Sequence, residues 1–207
     1  MDLKSYGWKD AGSNSSHQYL VPPVTKELGE FLGGRGRVLD LGCGNGYVTG
    51  KIAHMGYDVV GVEPSTDGIE HARGQHPDIR FEVGSIYDES LGPDLEGFDA
   101  VVSLEVLEHL FLPRKLFAQA YRVLRPGGRL ILSTPYHGYW KNLALAIAGH
   151  WGKHADVEWD GGHIKFFSFE SATKMAREAG FEKVRCYGVG RVRYLWMSMF
   201  LVADKPR

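Results

Sequence analysis

The chain has 207 residues, 43% of them apolar, which is long enough to bury one substantial core, and a single domain over residues 1–207 is predicted. Its 24 Lys and Arg balance 25 Asp and Glu to a net charge of −1, which excludes the global cationic field typical of proteins that bind nucleic acid or anionic membranes. The sequence has no secretory h-region and no window near the roughly 18 apolar residues of a membrane span, so we expect a cytoplasmic protein.

In chain order, the first predicted element is a helix around "VTKELGEFL", which follows a polar, Ser- and Gly-rich start and ends at Gly33 and Gly34. Short apolar strands then alternate with helices. The predicted strands are "RVLDL", "DVVGVE", "IRFEVG", "FDAVVSL" and "RLILST", and the helices between them include "YVTGKIAHM" and "STDGIEHARGQ". Such alternation predicts an α/β, Rossmann-like doubly wound sheet, mostly parallel, with helices on both faces.

The second half of the chain is predicted to complete a seven-stranded sheet. The segments "EVLEHL" and "RKLFAQAYRVL" are read as two helices, and Pro126, Gly127 and Gly128 are expected to break the chain before "RLILST". The final strands "FEKVRCYGV" and "RYLWMSMFLVADK" are separated by only "GR". Because no crossover helix fits between them, we expect an antiparallel last strand.

A Gly-rich turn, "VLDLGCGNGYVTG", lies between the first strand and the following helix, where open α/β sheets bind their ligands. Its glycines do not follow the GxGxxG spacing of dinucleotide-binding loops. Asp40 would repel a pyrophosphate but attract an ammonium or sulfonium group. Glu63 ends the next strand, where an acid can accept hydrogen bonds from both hydroxyls of a ribose. Together they indicate an adenosine-bearing cation; the alternative is that both acids only cap helices.

These motifs, with "VGSIYD", "FDAVVSLEVLEHL" and "LRPGGRLILSTP", resemble those of the class I S-adenosylmethionine-dependent methyltransferases over about residues 17–204. The resemblance implies S-adenosylmethionine as cofactor and an N-terminal segment, residues 1–34, that closes over it. The residues that it implies for cofactor binding are His17, Asp40, Gly42, Gly44, Glu63, Pro64, Ser85, Ile86 and Leu104. Cys43 lies in the same loop without a neighbouring base and is expected to be a packing residue.

The stretch "VSLEVLEHLF" places Glu105, Glu108 and His109 at positions i, i+3 and i+4, on one face of the predicted helix. Such a face could be a solvated surface, a general-base site or three ligands of a metal ion. His163, after two glycines in "WDGGHIKFF", supplies a fourth candidate ligand.

The spacing Glu-x-x-Glu-His followed by this later His resembles two groups of methyltransferases: the small-RNA 3′-end 2′-O-methyltransferases and the O-methyltransferases of ubiquinone biosynthesis. The resemblance implies a divalent cation, with magnesium or manganese favoured by the carboxylates and zinc or iron kept possible by the histidines. Two readings stay open beside it. The helix end could merely face the cofactor, and His163 could be a substrate contact or, like His109, a general base.

Residues 135–167 are predicted to form a substrate lid, because an aromatic-rich insertion follows the fifth strand. Its lysines, Lys141, Lys153 and Lys165, are balanced by Asp156, Glu158 and Asp160, which favours a small molecule over nucleic acid. The alternative is that "NLALAIAG" is simply a helix packed on the domain.

The resulting functional prediction is O-methylation of a hydroxyl on a small diol- or catechol-bearing molecule, with possible metal assistance, by a monomer or homodimer. Three alternatives are kept: an RNA-end or nucleotide 2′-O-methyltransferase, a metal-independent N- or C-methyltransferase that uses His109 or His163 as base, and a non-catalytic cofactor-binding protein.

Overall fold

The computed structural model describes residues 7, 8, 10, 12–92, 94–152, 158, 159 and 161–207; Lys153, Asp156 and Asp160 of the predicted lid lie outside these ranges. Seven strands form one sheet in the order β3-β2-β1-β4-β5-β7-β6. The strands are β1 (Arg37–Leu41), β2 (Asp58–Glu63), β3 (Arg80–Val83), β4 (Phe98–Leu104), β5 (Leu124–Pro135), β6 (Glu182–Val189) and β7 (Ser198–Asp204). The helices are α1 (His17–Leu32), α2 (Tyr47–Ala53), α3 (Thr66–Gln75), α4 (Arg114–Val123), α5 (Tyr139–Ile147) and α6 (Phe169–Glu178).

The sheet confirms the predicted α/β architecture. The pairs from β3 through to β5 are parallel, whereas β7 runs antiparallel to both β5 and β6. The strand order reverses at β1, which lies between β2 and β4. In doubly wound sheets a crevice opens at that reversal, outside the carboxyl ends of the strands, and it is the usual place for a ligand.

Helices cover both faces of the sheet and bury one apolar layer against each. On one face, Leu116 and Phe117 of α4 are fully buried with strand residues such as Leu39. On the other face, Leu20 and Leu28 of α1 pack with residues of α2 and the central strands. Strands buried on both faces read as continuous apolar runs, which is why "RVLDL" and "FDAVVSL" were identifiable from sequence.

Helix α1 begins at His17, earlier than the prediction from "VTKELGEFL", and it contains Pro22 and Pro23. These prolines cannot donate the backbone hydrogen bonds of the second turn, which normally disfavours a helix. The buried side chains on one stripe of α1 compensate, since Leu20, Val24 and Leu28 recur every four residues and are fully buried. The predicted end is confirmed, because Gly33 is a left-handed cap.

The predicted helix over "EVLEHL" is wrong. Only Leu107–His109 is helical, as one 3-10 turn, and Glu105 has a left-handed backbone with φ of 54°. The Glu105 amide still donates to the Ser133 carbonyl near the end of β5, at 3.1 Å, so the chain stays paired with the sheet up to Glu105 and turns there. A left-handed residue cannot begin an α-helix, so the three predicted ligands do not share a helical face.

Two boundaries near the end of the chain also differ from prediction. Pro126, Gly127 and Gly128 do not break the chain before β5 but lie within it, where the pairing with β4 shifts register. The connection between β6 and β7 is residues 190–197, longer than the predicted "GR". None of the helices in the described ranges combines the length and apolar character that a membrane crossing requires.

Candidate functional site

A cavity of about 460 Å³, called here the strand-end cavity, opens at the carboxyl edge of the sheet around the ends of β1, β2 and β4. The structure brings every predicted cofactor and metal residue to it. Its lining includes His17, Asp40, Gly42, Gly44, Glu63, Pro64, Ser85, Ile86, Leu104, Glu105, Glu108, His109 and His163.

Glycine is required at two positions of the loop that forms the floor of this cavity. Gly42 has φ of 84°, and a Cβ there would lie 2.5 Å from Cγ2 of Val106. Gly44 has φ of 53°, and a Cβ there would lie 2.5 Å from the Trp8 ring. Any other residue would therefore be strained and would push a side chain toward the cavity.

Asp40 lies at the end of β1 and is buried beneath the loop. One carboxylate oxygen accepts a hydrogen bond from the Thr49 hydroxyl at 2.6 Å. Burial raises the pKa of Asp40 to about 7, although the Thr49 hydrogen bond acts in the opposite direction. A ligand cation beside this carboxyl would favour its charged form, so binding of the cation and loss of a proton are coupled.

Glu63 holds the loop and the start of α3 together. Its two carboxylate oxygens accept backbone N–H groups from Gly44 and Ser65, each at 3.1 Å. Burial raises the pKa of Glu63, and these backbone hydrogen bonds oppose the shift. A carboxylate offers about four acceptor positions, so hydroxyl donors of a ligand can still be bound.

The turn after β3 forms the other end of the strand-end cavity. The Ser85 amide donates to the Asp88 carboxylate at 2.7 Å, and the Ser85 hydroxyl accepts from the Tyr87 amide at 3.2 Å. Gln119 donates to the Ile86 carbonyl from α4 at 3.3 Å. The backbone of this turn is thereby fixed, and it presents the Ile86 side chain to the cavity.

The N-terminal segment contributes Trp8, a residue that the sequence reasoning missed. The backbone N–H groups of Gly7 and Trp8 donate to Asp67 at 2.9 and 3.1 Å, which brings the segment over the Gly-rich loop. Asn45 of that loop donates to the Gly12 carbonyl at 3.0 Å. A single tryptophan in an otherwise polar segment was the available signal.

His17 lies at the first turn of α1, at the edge of the strand-end cavity. Its ring stacks on Tyr47 with centroids 4.5 Å apart. Nδ1 of His17 accepts the Asn14 amide at 3.0 Å, and burial lowers the pKa of His17 to about 4. The imidazole is therefore neutral at physiological pH and suits a ligand that stacks or accepts a hydrogen bond.

Glu108, His109 and His163 form a compact group in which one ligand atom of each lies within 4.8 Å of the others. His163 reaches it because the amides of Ile164 and Lys165 donate to the Glu108 carbonyl, at 3.0 and 3.1 Å. The group therefore comes from a tertiary contact between two loops, and its formation does not require the helix that the sequence suggested.

The protonation of this group can be read from its hydrogen bonds. Nδ1 of His109 lies 2.6 Å from the Gly161 carbonyl, which can only accept, so Nδ1 carries the proton and Nε2 is the acceptor nitrogen of the neutral ring. Burial lowers the pKa of His109, which keeps the ring neutral, and raises that of Glu108 well above its usual value.

Glu108 is buried, with 1% of its surface exposed, and only Oε2 has a hydrogen bond, 2.9 Å from the Thr134 hydroxyl. Oε1 has no hydrogen-bond partner within the described structure and faces Nε2 of His109 at 3.7 Å. A carboxyl oxygen and an imidazole nitrogen that face each other at this separation suit a shared cation, which would displace the proton that the raised pKa of Glu108 favours. The residues present therefore fit a divalent metal.

Glu105, the fourth predicted ligand, is directed elsewhere. Its carboxylate accepts the hydroxyls of Ser133 and Ser198 at 2.7 and 3.0 Å, and it is not part of the group formed by Glu108 and the two histidines. Burial raises the pKa of Glu105 to about 7. Its left-handed backbone is a strained conformation of the kind that concentrates at functional sites.

The residues of the predicted lid, 135–167, differ widely in how far they are buried. Tyr136, His137 and Phe167 are buried, and Trp159 lines the strand-end cavity. Helix α5 buries none of its residues. Its first two, Tyr139 and Trp140, are 72% and 57% exposed, so a part of the aromatic surface assigned to substrate does not face a cavity.

Comparisons with known proteins agree with this geometry. A family model described as a methyltransferase domain matches residues 14–185. The ubiquinone biosynthesis O-methyltransferase of Bradyrhizobium sp. (strain ORS 278) is 35% identical over 147 residues, which is 67% of this chain and 55% of that protein. The chain thus spans little more than half the length of this relative.

Solved structures share the fold at low sequence identity. A protein of Pyrococcus horikoshii OT3 superposes with a TM-score of 0.72 at 21% identity, covering all of this chain and 96% of that one. The 1,6-didemethyltoxoflavin N1-methyltransferase of Burkholderia thailandensis, solved with S-adenosylhomocysteine bound, gives 0.66 at 20% identity, covering 90% and 78%. Both similarities concern the arrangement of the sheet and helices.

Proposed function

The chain belongs to the class I S-adenosylmethionine-dependent methyltransferases, and from that membership we propose that it transfers a methyl group from S-adenosylmethionine to a hydroxyl of a small diol- or catechol-bearing molecule. The observation that carries the proposal is the group of buried Glu108 and half-buried His109 and His163 on the wall of the strand-end cavity. The relative named as a ubiquinone biosynthesis O-methyltransferase supports an oxygen acceptor.

The cofactor part of the proposal rests on the chemistry of the strand-end cavity. Asp40 would hold the cationic amino-acid end and Glu63 the ribose hydroxyls, while Ile86 and Pro64 offer apolar surface to the adenine. His17 and Trp8 would close the cavity from the N-terminal side. When bound, S-adenosylmethionine supplies an electrophilic methyl group on a sulfonium.

The acceptor part rests on the group at the opposite wall. Glu108, His109 and His163 would hold a divalent cation, and such an ion can lower the pKa of an alcohol by several units near neutral pH. His109 is suited to this because the Gly161 carbonyl fixes its tautomer, in which Nε2 is the nitrogen that can bind a cation. Glu105 would complete a four-residue set only by releasing Ser198.

Burial supports the reaction in a second way. Glu108 is withdrawn from water, and charge interactions are stronger in such surroundings than in solvent. Because methyl transfer needs an oxygen aligned with the sulfonium, we infer that the chain contributes mainly position and local charge. Because Glu105 lies outside the group, its donors are two imidazoles and one carboxylate, which suit zinc, iron or manganese better than magnesium.

The test separates cofactor, metal and acceptor. Calorimetry should detect binding of S-adenosylhomocysteine, and a metabolite extract incubated with S-adenosylmethionine should show one product heavier by a methyl group. With that acceptor, EDTA should abolish turnover and magnesium, manganese or zinc should restore it. Absence of S-adenosylhomocysteine binding would contradict the whole proposal, whereas methylation of RNA oligomers instead of small diols would favour the 2′-O-methyltransferase alternative.

A second mechanism is favoured by one observation, the neutral His109 ring whose Nδ1 faces the Gly161 carbonyl, so that Nε2 is its basic nitrogen. That nitrogen could take a proton from the acceptor directly, without a metal, during O-, N- or C-methylation. Full turnover after exhaustive chelation, with a pH profile that is lost in His109→Asn, would favour this mechanism over the metal-assisted one.

A further inference from the structure

A second cavity, of about 770 Å³ and called here the lid cavity, lies beside the strand-end cavity. Glu105 and His163 line both, so an occupant of the lid cavity would be adjacent to the cofactor residues. Its walls come from α1, from α5 and from residues 191–198, which precede and begin β7. We therefore treat it as the place of the methyl acceptor, a step that rests on the proposed function.

The lid cavity carries two cationic side chains. Lys141 of α5 donates to the Met197 carbonyl at 3.0 Å, and burial lowers its pKa to about 8. Arg191 lies in the connection between β6 and β7, and within the described residues the structure gives its guanidinium no hydrogen bond or ion pair. Both side chains are available to an anion that enters the cavity.

The carboxylate that lines the lid cavity already accepts hydrogen bonds from the protein. Glu105 is the one carboxylate among the described residues that line the lid cavity, and its oxygens accept the Ser133 and Ser198 hydroxyls. It forms no direct hydrogen bond with Lys141 or Arg191 in the described structure, although its charge acts to raise the pKa of Lys141. The two cations outnumber the acids, and the cavity attracts negative charge.

The remaining walls of the lid cavity are largely apolar. Helix α5 contributes Ala144 and Leu145 to the lining, and its C-cap contributes Ala148. The β6–β7 connection contributes Val192 and Leu195. Val192 is 70% exposed, which shows that this wall reaches the solvent. An acceptor that suits such surroundings has an apolar body and an anionic group at one end.

We propose that the methyl acceptor carries an oxyanion group, a carboxylate or a phosphate monoester, that is bound by Arg191 and Lys141 while its apolar body packs against α5. The planar guanidinium of Arg191 can bind either anion through two parallel hydrogen bonds. Arg191 and Lys141 are thus specificity-determining residues, separate from the group around Glu108.

The test measures binding of three probes of similar shape to the full chain saturated with S-adenosylhomocysteine. They are naphthalene-2-carboxylate, 2-naphthyl phosphate and the neutral naphthalene-2-carboxamide. Calorimetry at low ionic strength should show at least one anion binding about tenfold more tightly than the amide, the range expected for a charged hydrogen-bonded pair. The two anionic probes distinguish a carboxylate from a phosphate acceptor.

Substitutions test whether Arg191 and Lys141 cause the preference for the anionic probes. Arg191→Met and Lys141→Met should each remove most of the preference for the anion, while S-adenosylhomocysteine affinity is unchanged. Arg193→Met is the matched control, because this arginine lies two residues along the same connection but stacks over Tyr194, 4.9 Å from the ring centroid, outside the cavity lining.

Three results would overturn the inference: equal affinity for anion and amide, no binding of any probe at millimolar concentration, or an equal loss of preference in Arg193→Met. If S-adenosylhomocysteine binds normally, each of these results leaves the proposed methyl transfer intact. Failure of the wild type to bind S-adenosylhomocysteine would overturn the proposed function, and the inference with it.

Discussion

The strand-end cavity and the lid cavity lie side by side, yet they are built differently. The first is formed mainly where β1, β2 and β4 end, and its loop geometry depends on short motifs such as the one that contains Gly42 and Gly44. The second is assembled from α1, α5 and the β6–β7 connection, which are far apart in sequence. The difference indicates that cofactor chemistry is encoded locally, whereas acceptor chemistry depends on long-range packing.

The largest expected effect lies at the boundary of the two cavities. Glu108→Gln keeps the size of the side chain but removes the charge that would hold a cation, and turnover should fall by about a hundredfold or more. Affinity for S-adenosylhomocysteine should change less than threefold. Initial rates and calorimetry measure the two quantities, and an equal loss in both would show that Glu108 serves cofactor binding instead.

The next effect should be confined to the strand-end cavity. Gly42→Ala adds a Cβ 2.5 Å from Val106 in a left-handed backbone, and strain with overpacking should weaken S-adenosylhomocysteine binding by about a hundredfold. Gly29→Ala is the control, because it lies within α1 with open space around its Cβ and should leave affinity unchanged. Wild-type affinity in folded Gly42→Ala would contradict the account of the loop.

Glu63→Ala removes a carboxylate that holds two backbone amides and would bind the ribose. We expect a loss of about 1–3 kcal/mol in S-adenosylhomocysteine binding, the range for hydrogen bonds to a charged group. Affinity of the lid cavity for the naphthyl anions should be retained. Calorimetry with both ligands checks this, and wild-type S-adenosylhomocysteine affinity would remove Glu63 from the site.

Cofactor affinity should depend on pH through Asp40. Its pKa of about 7 in the free protein would fall when a cation binds beside it, so the complex holds fewer protons than the free protein. Affinity for S-adenosylhomocysteine should therefore rise with pH, by about tenfold between pH 6 and pH 8. Asp40→Asn should abolish the dependence; the same slope in this variant would assign it to another group.

The smallest expected effect is at Cys43, which is buried in the loop near the carboxyl groups of Asp40 and Glu63. Burial raises the pKa of its thiol well above the usual value, so the reactive thiolate is disfavoured. Cys43→Ala should leave S-adenosylhomocysteine affinity and turnover within twofold, at a stability cost of about 1 kcal/mol. Loss of turnover with affinity retained would require a chemical role for this residue.

The same contrast explains what could be predicted from the sequence. The sheet, the Gly-rich turn and the acids Asp40 and Glu63 follow from short-range patterns, because strand periodicity and strand-end motifs are local properties. The helix predicted over Glu105 to His109 is wrong, since Glu105 is still hydrogen-bonded to β5 and has a left-handed backbone. His109 and His163 still meet, but through the loop at residues 161–165.

The length of the connection between β6 and β7 marks the limit of the sequence reasoning most clearly. The segment "RYLWMSMFLVADK" was read as one strand because it is apolar, although β7 begins only at Ser198. The residues before it instead form the outer wall of the lid cavity. The predicted connection "GR" is Gly190, with φ of 96°, and Arg191, and the charge of Arg193 was the available signal that the connection continues.

The most direct test of the account is a crystal structure of the chain soaked with S-adenosylhomocysteine and Mn²⁺, with anomalous scattering recorded for the metal. The account predicts the nucleoside between Asp40 and Glu63 in the strand-end cavity and a manganese peak among Glu108, His109 and His163. An empty strand-end cavity at saturating ligand, or manganese absent from these three side chains while chelated protein keeps full turnover, would contradict it.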